Sequence, residues 1–407
     1  MLIPVFNNSV SRPEIKSNEK ELNISIRCEE FFGAEITEQL LREFEEQNPN
    51  MRLRLLNNID GFSEKEPDIF IFDDGDFNGL VAGGTLMALE SYLQYGFPDF
   101  QVAGQFAIPL VSFMDLLFYN IELLQNAGFD RPPKTRDEFF TYARTVSGDA
   151  VGAAIGLSPK DRQALSRDIF SWIWAAGNDF WPEENSSQNT QTPVFDTRPI
   201  IADITFLGRL YREGVLAPMS FEATGDQRLE EFAQGKIAMM VASSRVIPAL
   251  REKMGDDAFG ITTIPGSDLA GKYSIGISSF YAGIGADSPY PDEAWAFLEF
   301  LAGQRALLCE ELRAVPGVVS DLFPGDYVTG DPFYSKARDI FYSSEIVYGF
   351  YGKTGAQEFE NAVREELQIF FETSRTAQET ASAIQRRWDN VRLTNGANGY
   401  DVSHLLR

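Results

Sequence analysis

The sequence predicts an α/β fold spread over more than one domain, and three observations carry that expectation. The first ninety residues alternate as strand, helix, strand, strand, helix, the order of a mostly parallel sheet flanked by helices. Ile69-Phe70-Ile71-Phe72 is a continuous apolar run, the mark of a strand covered on both faces. The chain has 407 residues, 44% of them hydrophobic, with 33 Phe. Single cores stop growing near roughly 250–300 residues, so this length calls for at least two.

Each element has its own local reason. Leu22, Ile24, Ile26 and Cys28 alternate with polar residues, a half-buried strand over 22–28. A helix over 35–47 puts Ile36, Leu40, Leu41 and Phe44 on one face, and Asn48-Pro49 ends it. Met51, Leu53 and Leu55 alternate as a second strand, the run 69–72 is a third, and 79–89 reads as a helix. The apolar stretch Leu116–Tyr119 leads into a short helix over 121–127 stopped by Gly128. After a stiff Pro132-Pro133 turn, Thr135 opens a further helix with Glu138 three residues on, the spacing of a capping box.

Beyond that point 152–157 reads as a short strand and 166–176 as an aromatic helix carrying Phe170, Trp172 and Trp174. Residues 183–193 are polar and read as a surface loop. Helices are expected over 200–213, 230–234 and 245–253, and strands over 237–242, 259–264 and 273–284. Pro291 opens a strong helix over 291–308. Two long helices, 357–371 and 376–391, close the fold, the second with Ala377, Ala381, Ile384, Trp388 and Val391 on one face. No element is assigned between 309 and 356, and 392–407 reads as a frayed tail.

Composition removes several function classes. Thirty-five Lys and Arg against 60 Asp and Glu leave a net charge of −25, a field that repels nucleic acid. No run approaches the ~20 apolar residues that span a bilayer. Two cysteines, Cys28 and Cys309, are too few for a zinc ribbon or a disulfide scaffold and read as buried thiols. The single histidine, His404, lies in the tail, so imidazole chemistry and a multi-His metal site are not expected. The start Met1–Phe6 runs straight into polar Asn7-Asn8-Ser9, which is not a signal peptide. Read alone this means a cytoplasmic protein; the alternative is a mature chain whose signal has been removed. Residues 1–20 then read as a flexible leader of the kind that tethers a lipoprotein.

Six segments in order carry a resemblance over roughly 21–391. They are EEFFGAEITEQLLREFEEQNPNMRLRL, PDIFIFDDGDFNGLVAGGTLMAL, the YN-helix-G-PP-T-helix stretch from 119, WIWAAGNDF, EEFAQGKIAMMVASS and YPDEAWAFLEFLAG. Together they resemble extracellular solute-binding proteins of ABC transporters, in the carbohydrate-binding group that includes maltose-binding protein. The resemblance implies two lobes joined by a hinge, 21–118 plus 259–310 and 122–255 plus 314–391, with Tyr119-Asn120 as hinge. It implies a monomeric receptor and not an enzyme, periplasmic or otherwise extracytoplasmic, that closes on a sugar and docks on permease subunits. No cofactor is required. Two departures leave the ligand open: Ser243-Ser244-Arg245 stands where many relatives carry an aromatic residue, and Gly276-Ile277-Ser278-Ser279 replaces a doubled glycine.

In a doubly wound sheet, ligands bind beyond the carboxyl ends of the strands. That rule nominates Glu30 and Phe32 after the first strand, Asp73 and Asp74 after the third, and Ser244 and Arg245 after the strand 237–242. Carboxylates and guanidinium groups make paired hydrogen bonds to vicinal hydroxyls, and aromatic faces take the C–H side of a sugar ring. Phe32, Trp172, Trp174 and Trp181 supply such faces, although residues two apart on a helix cannot both face one cleft. Ser279 and Phe280 are further candidates. Asp73-Asp74-x-Asp76 reads as ligand contact, as helix cap and solvated acid, or as a cation cluster without EF-hand spacing. Arg245 is either a ligand group or a helix-start residue. The rival ligand class is a polyamine or amino-acid derivative, which would suit the acids. A glycoside hydrolase using an acid pair is a more distant alternative; no G-x-S-x-G elbow, P-loop or G-x-G-x-x-G occurs.

Overall fold

The structure, a computed structural model, describes residues 19–28, 34–56, 66–93, 106–146, 151–154, 166–177, 180, 194–217, 220, 222–266, 274–316, 330–348 and 356–397. The leader, the loop 183–193, and the candidates Glu30, Phe32 and Trp181 lie outside the described residues.

The first half of the chain follows its alternation. Strand β1 (Lys20–Ile26) buries Leu22 and Ile24, and helix α1 (Ala34–Gln47) turns Leu40, Leu41 and Phe44 onto the sheet. Strands β2 (Met51–Leu55) and β3 (Ile69–Asp73) both pair in parallel with β1. The chain passes from β3 straight into α2 (Asp74–Ala82), because the Asp73 side chain accepts the Gly75 N–H at 2.9 Å. The helix expected over 79–89 is therefore displaced toward the N-terminus, and it ends at Gly83-Gly84, where Gly84 has φ +64°. Such a backbone is open mainly to glycine. A single turn, α3 (Glu90–Leu93), precedes the long strand β4 (Ile108–Asn120).

The middle of the chain adds α4 (Ile121–Asn126), α5 (Arg136–Thr145), β5 (Val151–Ala154), a π-helical turn Ser166–Phe170, and α6 (Ser171–Ala175). Thr135 caps α5 through the Glu138 N–H at 3.2 Å, one half of the expected capping box, while the Glu138 side chain accepts the Lys134 N–H at 2.8 Å and pairs with Arg131. Helices α7 (Arg198–Arg212) and α8 (Gly225–Ala233) follow, then β6 (Ile237–Ser243), a 3-10 turn Ser244–Val246, α9 (Ile247–Met254) and β7 (Phe259–Thr262). The return strand β8 (Ser274–Ile284) leads to α10 (Pro291–Gly303) and α11 (Arg305–Leu312), one expected helix broken at Gln304. Beyond Arg313, with φ 53°, come β9 (Val315–Pro316), α12 (Pro332–Ser343), β10 (Glu345–Tyr348), α13 (Ala356–Glu372) and α14 (Ala377–Ala397).

The strands form one sheet of order β2-β1-β3-β8-β4-β6-β5 among the described residues, but β4 divides it in two. Its first part, Ile108–Met114, pairs with β8, and β9 joins at Val111 and Ser112. Its second part, from Asp115, pairs with β6, and β7 lies along Leu117–Asn120. Both neighbours of β4 thus change at Met114–Asp115. Strand β8 changes as well, pairing with β10 over Ser274–Ile277 and with β3 over Phe280–Ile284. The registers leave β8 and the two-residue β9 running against the rest in the first lobe and β4 against the rest in the second. The mostly parallel sheets are explained by these two crossing strands.

Each half-sheet is covered on both faces. In the first lobe one face meets α1, α10 and α11 around Phe44, Phe297 and Leu298, and the other meets Phe77 and Tyr281. Cys28 and Cys309 are both buried thiols in that first core. In the second lobe one face packs on Phe170, Trp172, Phe359 and Trp388, the other on Phe259, Phe333 and Phe341. Two boundaries read from the sequence move. The strand at 259–262, expected in the first lobe, pairs with the second-lobe part of β4. Tyr119 and Asn120, expected at the hinge, lie inside the second lobe, where Tyr119 is in register with Met239 and Asn120 caps α4 through the Leu123 N–H.

Phe118 is fully buried on β4 and stacks on Phe259 at 6.2 Å between ring centroids. Phe118→Ala is expected to cost about 3–5 kcal/mol, the range for a large aromatic lost from a core. Urea unfolding followed by far-UV circular dichroism measures it, and a midpoint within error of wild type would show that this strand is not packed as described.

Candidate functional site at the junction of the lobes

The parallel strands of both lobes point their carboxyl ends at the same place. Strand β3 ends at Asp73, opposite Phe280 of β8, and β6 ends at Ser243, opposite Asp115 of β4. Met114 lies between the last β9 pairing and the first β6 pairing, so one edge of β4 has no strand beside it there. The Ser244 hydroxyl fills that gap and accepts the Met114 N–H at 3.0 Å. Ser244 is thereby committed to the backbone, buried to 3% exposure.

Arg245, one residue on, reaches from the second lobe to the first. Its guanidinium lies over the Phe280 ring at 4.5 Å from the centroid and over Phe113 at 5.3 Å. Its Nη1 is 3.8 Å from the Asp73 carboxylate, and both side chains stay about a quarter exposed, 23% and 24%. At this separation the gross attraction is about 4 kcal/mol for an effective dielectric near 20, most of it offset by desolvation. The contacts with the rings add about 0.5–2 kcal/mol. Phe113 and Phe280 meet edge to face at 5.3 Å, forming one aromatic platform.

Beneath the platform the polar groups are buried and joined. The Asp74 carboxylate accepts the Ser279 N–H at 3.1 and 3.3 Å and a hydrogen bond from Tyr281. Ser279 and Ser112 share a hydroxyl–hydroxyl contact of 2.6 Å across β8 and β4. Burial pushes the Asp74 carboxyl well above the usual range, and the neighbouring Asp73 charge pushes it further. Asp76 turns away to Arg27, 3.7 Å distant. The three acids do not converge, and no cluster able to hold a metal ion occurs among the described residues.

Two candidate tryptophans part company. Trp172 is core, fully buried, with Phe139 edge-on at 4.9 Å and Phe206 on another side at 5.4 Å. It contacts no cleft, which removes it from the site. Trp174 is also buried in the second-lobe core, but its ring faces the junction: a Cβ on Gly276 of β8 would fall 2.7 Å from it. The same Cβ would fall 2.8 Å from Oδ2 of Asp115, so only glycine lets β8 pass here. Asp115 and its partner Ser171, whose hydroxyl donates at 2.8 Å, were missed from the sequence. The signal was present, a lone acid inside the apolar strand IPLVSFMDLLFYN.

Among the described candidates the structure brings together Asp73, Asp74, Ser244, Arg245, Ser279 and Phe280 at the junction, with Trp174 at its side. Only Asp73 and Arg245 of these remain partly open. Comparisons with known proteins agree with this architecture. The family model for bacterial extracellular solute-binding proteins matches residues 34–306. A binding protein of Brucella abortus is 22% identical over 289 residues, 65% of this chain and 67% of that protein. Among solved structures, the cyclic alpha-maltosyl-1,6-maltose binding protein from Arthrobacter globiformis superposes with a TM-score of 0.73 at 16% identity, covering 92% of this chain and 99% of that one. An ABC transporter solute-binding protein from Thermotoga lettingae bound with alpha-D-tagatose gives 0.69 at 19% identity, over 92% and 99%. These structures share the two-lobe fold with this chain.

The Asp74 environment makes stability depend on pH with a definite sign. A carboxyl held above its unfolded value keeps its proton longer in the native state. Its contribution is whole below the unfolded pKa of about 4 and is lost as pH rises through the native value. Asp74→Asn keeps an acceptor for Ser279 and Tyr281 and cannot ionise. The melting temperature of this variant should therefore gain on wild type as pH rises above about 4, and the gain should level off once the native carboxyl has ionised. A difference independent of pH would show that Asp74 is ionised throughout.

Proposed function

The chain belongs to the bacterial extracellular solute-binding proteins, and from that premise we propose that it binds a sugar or oligosaccharide between the lobes and delivers it to an ABC importer. It is a solute-binding protein of ABC transporter type, and the family works outside the cytoplasm. The observation that carries the ligand class is the Asp73 carboxylate set beside the Phe113–Phe280 platform at the carboxyl ends of the strands. A carboxylate accepts paired hydroxyls and a ring face takes the C–H side of a pyranose.

The charge balance of the junction favours a neutral ligand over a polyamine. Asp73 is matched by Arg245, burial favours the protonated form of Asp74, and Asp115 takes the Ser171 hydroxyl. Among the described acids of the junction only Asp73 is partly open, and it faces Arg245, while Asp74 and Asp115 are buried, so an entering cation meets little open negative charge there in spite of the net −25 of the whole chain. Relatives of the same fold bound with tagatose, or named for a cyclic maltosyl-maltose, support this class. In this reading the lobes rotate about β4 and β8, and the closed form engages permease subunits. The receptor works as a monomer, and binding, with no bond made or broken, is its whole chemistry.

The test is a thermal-shift and calorimetric panel of mono- and oligosaccharides, amino acids and spermidine. A true ligand at a hundred times its Kd adds about 2.7 kcal/mol of stability by mass action. Stabilisation by at least one sugar is expected, with Asp73→Asn weakening that sugar about tenfold, the loss of a charge-assisted hydrogen bond. Stabilisation by spermidine and by no sugar would overturn the ligand class.

A further inference from the structure

The platform proposed for the ligand is already covered from within the chain. Arg245 belongs to the second lobe by its place after β6, yet its guanidinium reaches Phe280, Phe113 and Asp73 of the first lobe and the junction. A planar cation on a ring face with a carboxylate 3.8 Å from its edge occupies the place a pyranose would take there, a ring face below and a donor side toward Asp73. Two occupants cannot share one ring face.

We infer that Arg245 is a built-in competitor, an inter-lobe latch whose contact with Asp73 and the Phe113–Phe280 platform excludes solute from that same surface. The latch rests on the reading of the platform as the sugar site, but its mechanical half does not. Ser244 gives Arg245 a fixed root, since its hydroxyl is tied to the β4 backbone at the point where the lobes part. The Ser243 side chain accepts the Arg245 N–H at 3.4 Å, which fixes the turn further. The rest of both rings is buried in the first-lobe core, so a swing of the side chain from that root frees only the ring face beneath the guanidinium. A solute that wins the platform must be favoured over the arginine by the equilibrium constant of the latch, so the latch lowers apparent affinity by the fraction of molecules it holds. Because both members are partly exposed, salt weakens it.

The mechanical half is read without any solute, by small-angle scattering and by the distance between spin labels placed on exposed Gln39 and Glu252, one in each lobe. In Arg245→Gln the labels are expected to separate or their distance distribution to broaden. Asp73→Asn should do the same, and the double variant should add little to either single one. Raising salt from 50 mM to 500 mM should move wild type toward the Arg245→Gln distribution and leave that variant unchanged. Arg245→Lys, which keeps the charge and loses the planar stacking, should fall between. Identical distributions for wild type and Arg245→Gln, with the variant shown folded by circular dichroism, would overturn the latch.

The competitive half uses whichever sugar stabilises wild type in the panel above. Arg245→Gln is expected to bind that sugar several-fold more tightly, with the gain shrinking at high salt. A loss of affinity would make Arg245 a ligand contact and overturn the competition. If no sugar binds wild type or variant, the sugar reading fails while the label distances still decide the latch.

Discussion

Everything at the centre of this molecule depends on one constraint: β4 and β8 each run unbroken through both lobes, antiparallel to one another, and each exchanges neighbours on the way. A strand has only two edges, and a backbone group at an exchange point loses its ladder partner unless something else supplies one. At Met114 the substitute is the Ser244 hydroxyl. The need to satisfy that single N–H places the turn after β6 against the crossing strand. Arg245 is carried to the first lobe as a consequence.

The same constraint explains why polar residues are buried here at all. Ser112, Asp115 and Ser279 interrupt strands that are otherwise apolar, at the cost of desolvation that each must recover through a partner. The Ser112–Ser279 contact locks the register of β4 against β8, because a slip of one residue would turn both hydroxyls into apolar layers. Asp74 ties the N-terminus of α2 to β8 through Ser279. Relative motion of the lobes therefore cannot come from sliding at this seam. It has to come from bending or twisting of the two strands near Met114 and Asp115, where β6 and β9 leave the ladder open.

How far the sequence disclosed this can be traced to the kind of signal each feature emits. Helices with a clear apolar stripe, such as α1 and α14, and the all-apolar β3 were legible because burial sets their pattern directly. The two crossing strands were legible as apolar runs, but not their role, since exchange of partners is a long-range property with no local period. That is why a hinge is expected at Tyr119 and Asn120, and a first-lobe place for the strand at 259–262, where the structure pairs these residues along the second part of β4. The acids after β3 were legible as a cluster, yet whether each caps, buries or faces solvent depends on a helix starting one residue later. Asp73 caps and stays open, Asp74 is drawn under Ser279, and Asp76 turns to Arg27. Trp172 and Trp174 differ only in which side of a five-residue helix they occupy, and the π-helical turn just before them shifts that phase beyond what a 3.6-residue period predicts.

The acidic balance of the chain also takes on a different meaning at the junction. A net charge of −25 invites the expectation of a cationic ligand, but charge spread over a surface is screened within about 8–10 Å, and a site responds to what lies inside that distance. Within it, among the described residues, Arg245 faces Asp73, burial disfavours the charge on Asp74, and Asp115 is buried against the Ser171 hydroxyl. The long-range field repels nucleic acid, while the partly open part of the junction pairs one carboxylate with one guanidinium beside two aromatic rings. A junction as acidic as the exterior would repel its own closure, since each lobe contributes a share of the charge that must be brought together when the gap narrows. Arg245 meets that requirement from the side of the lobe that has to approach.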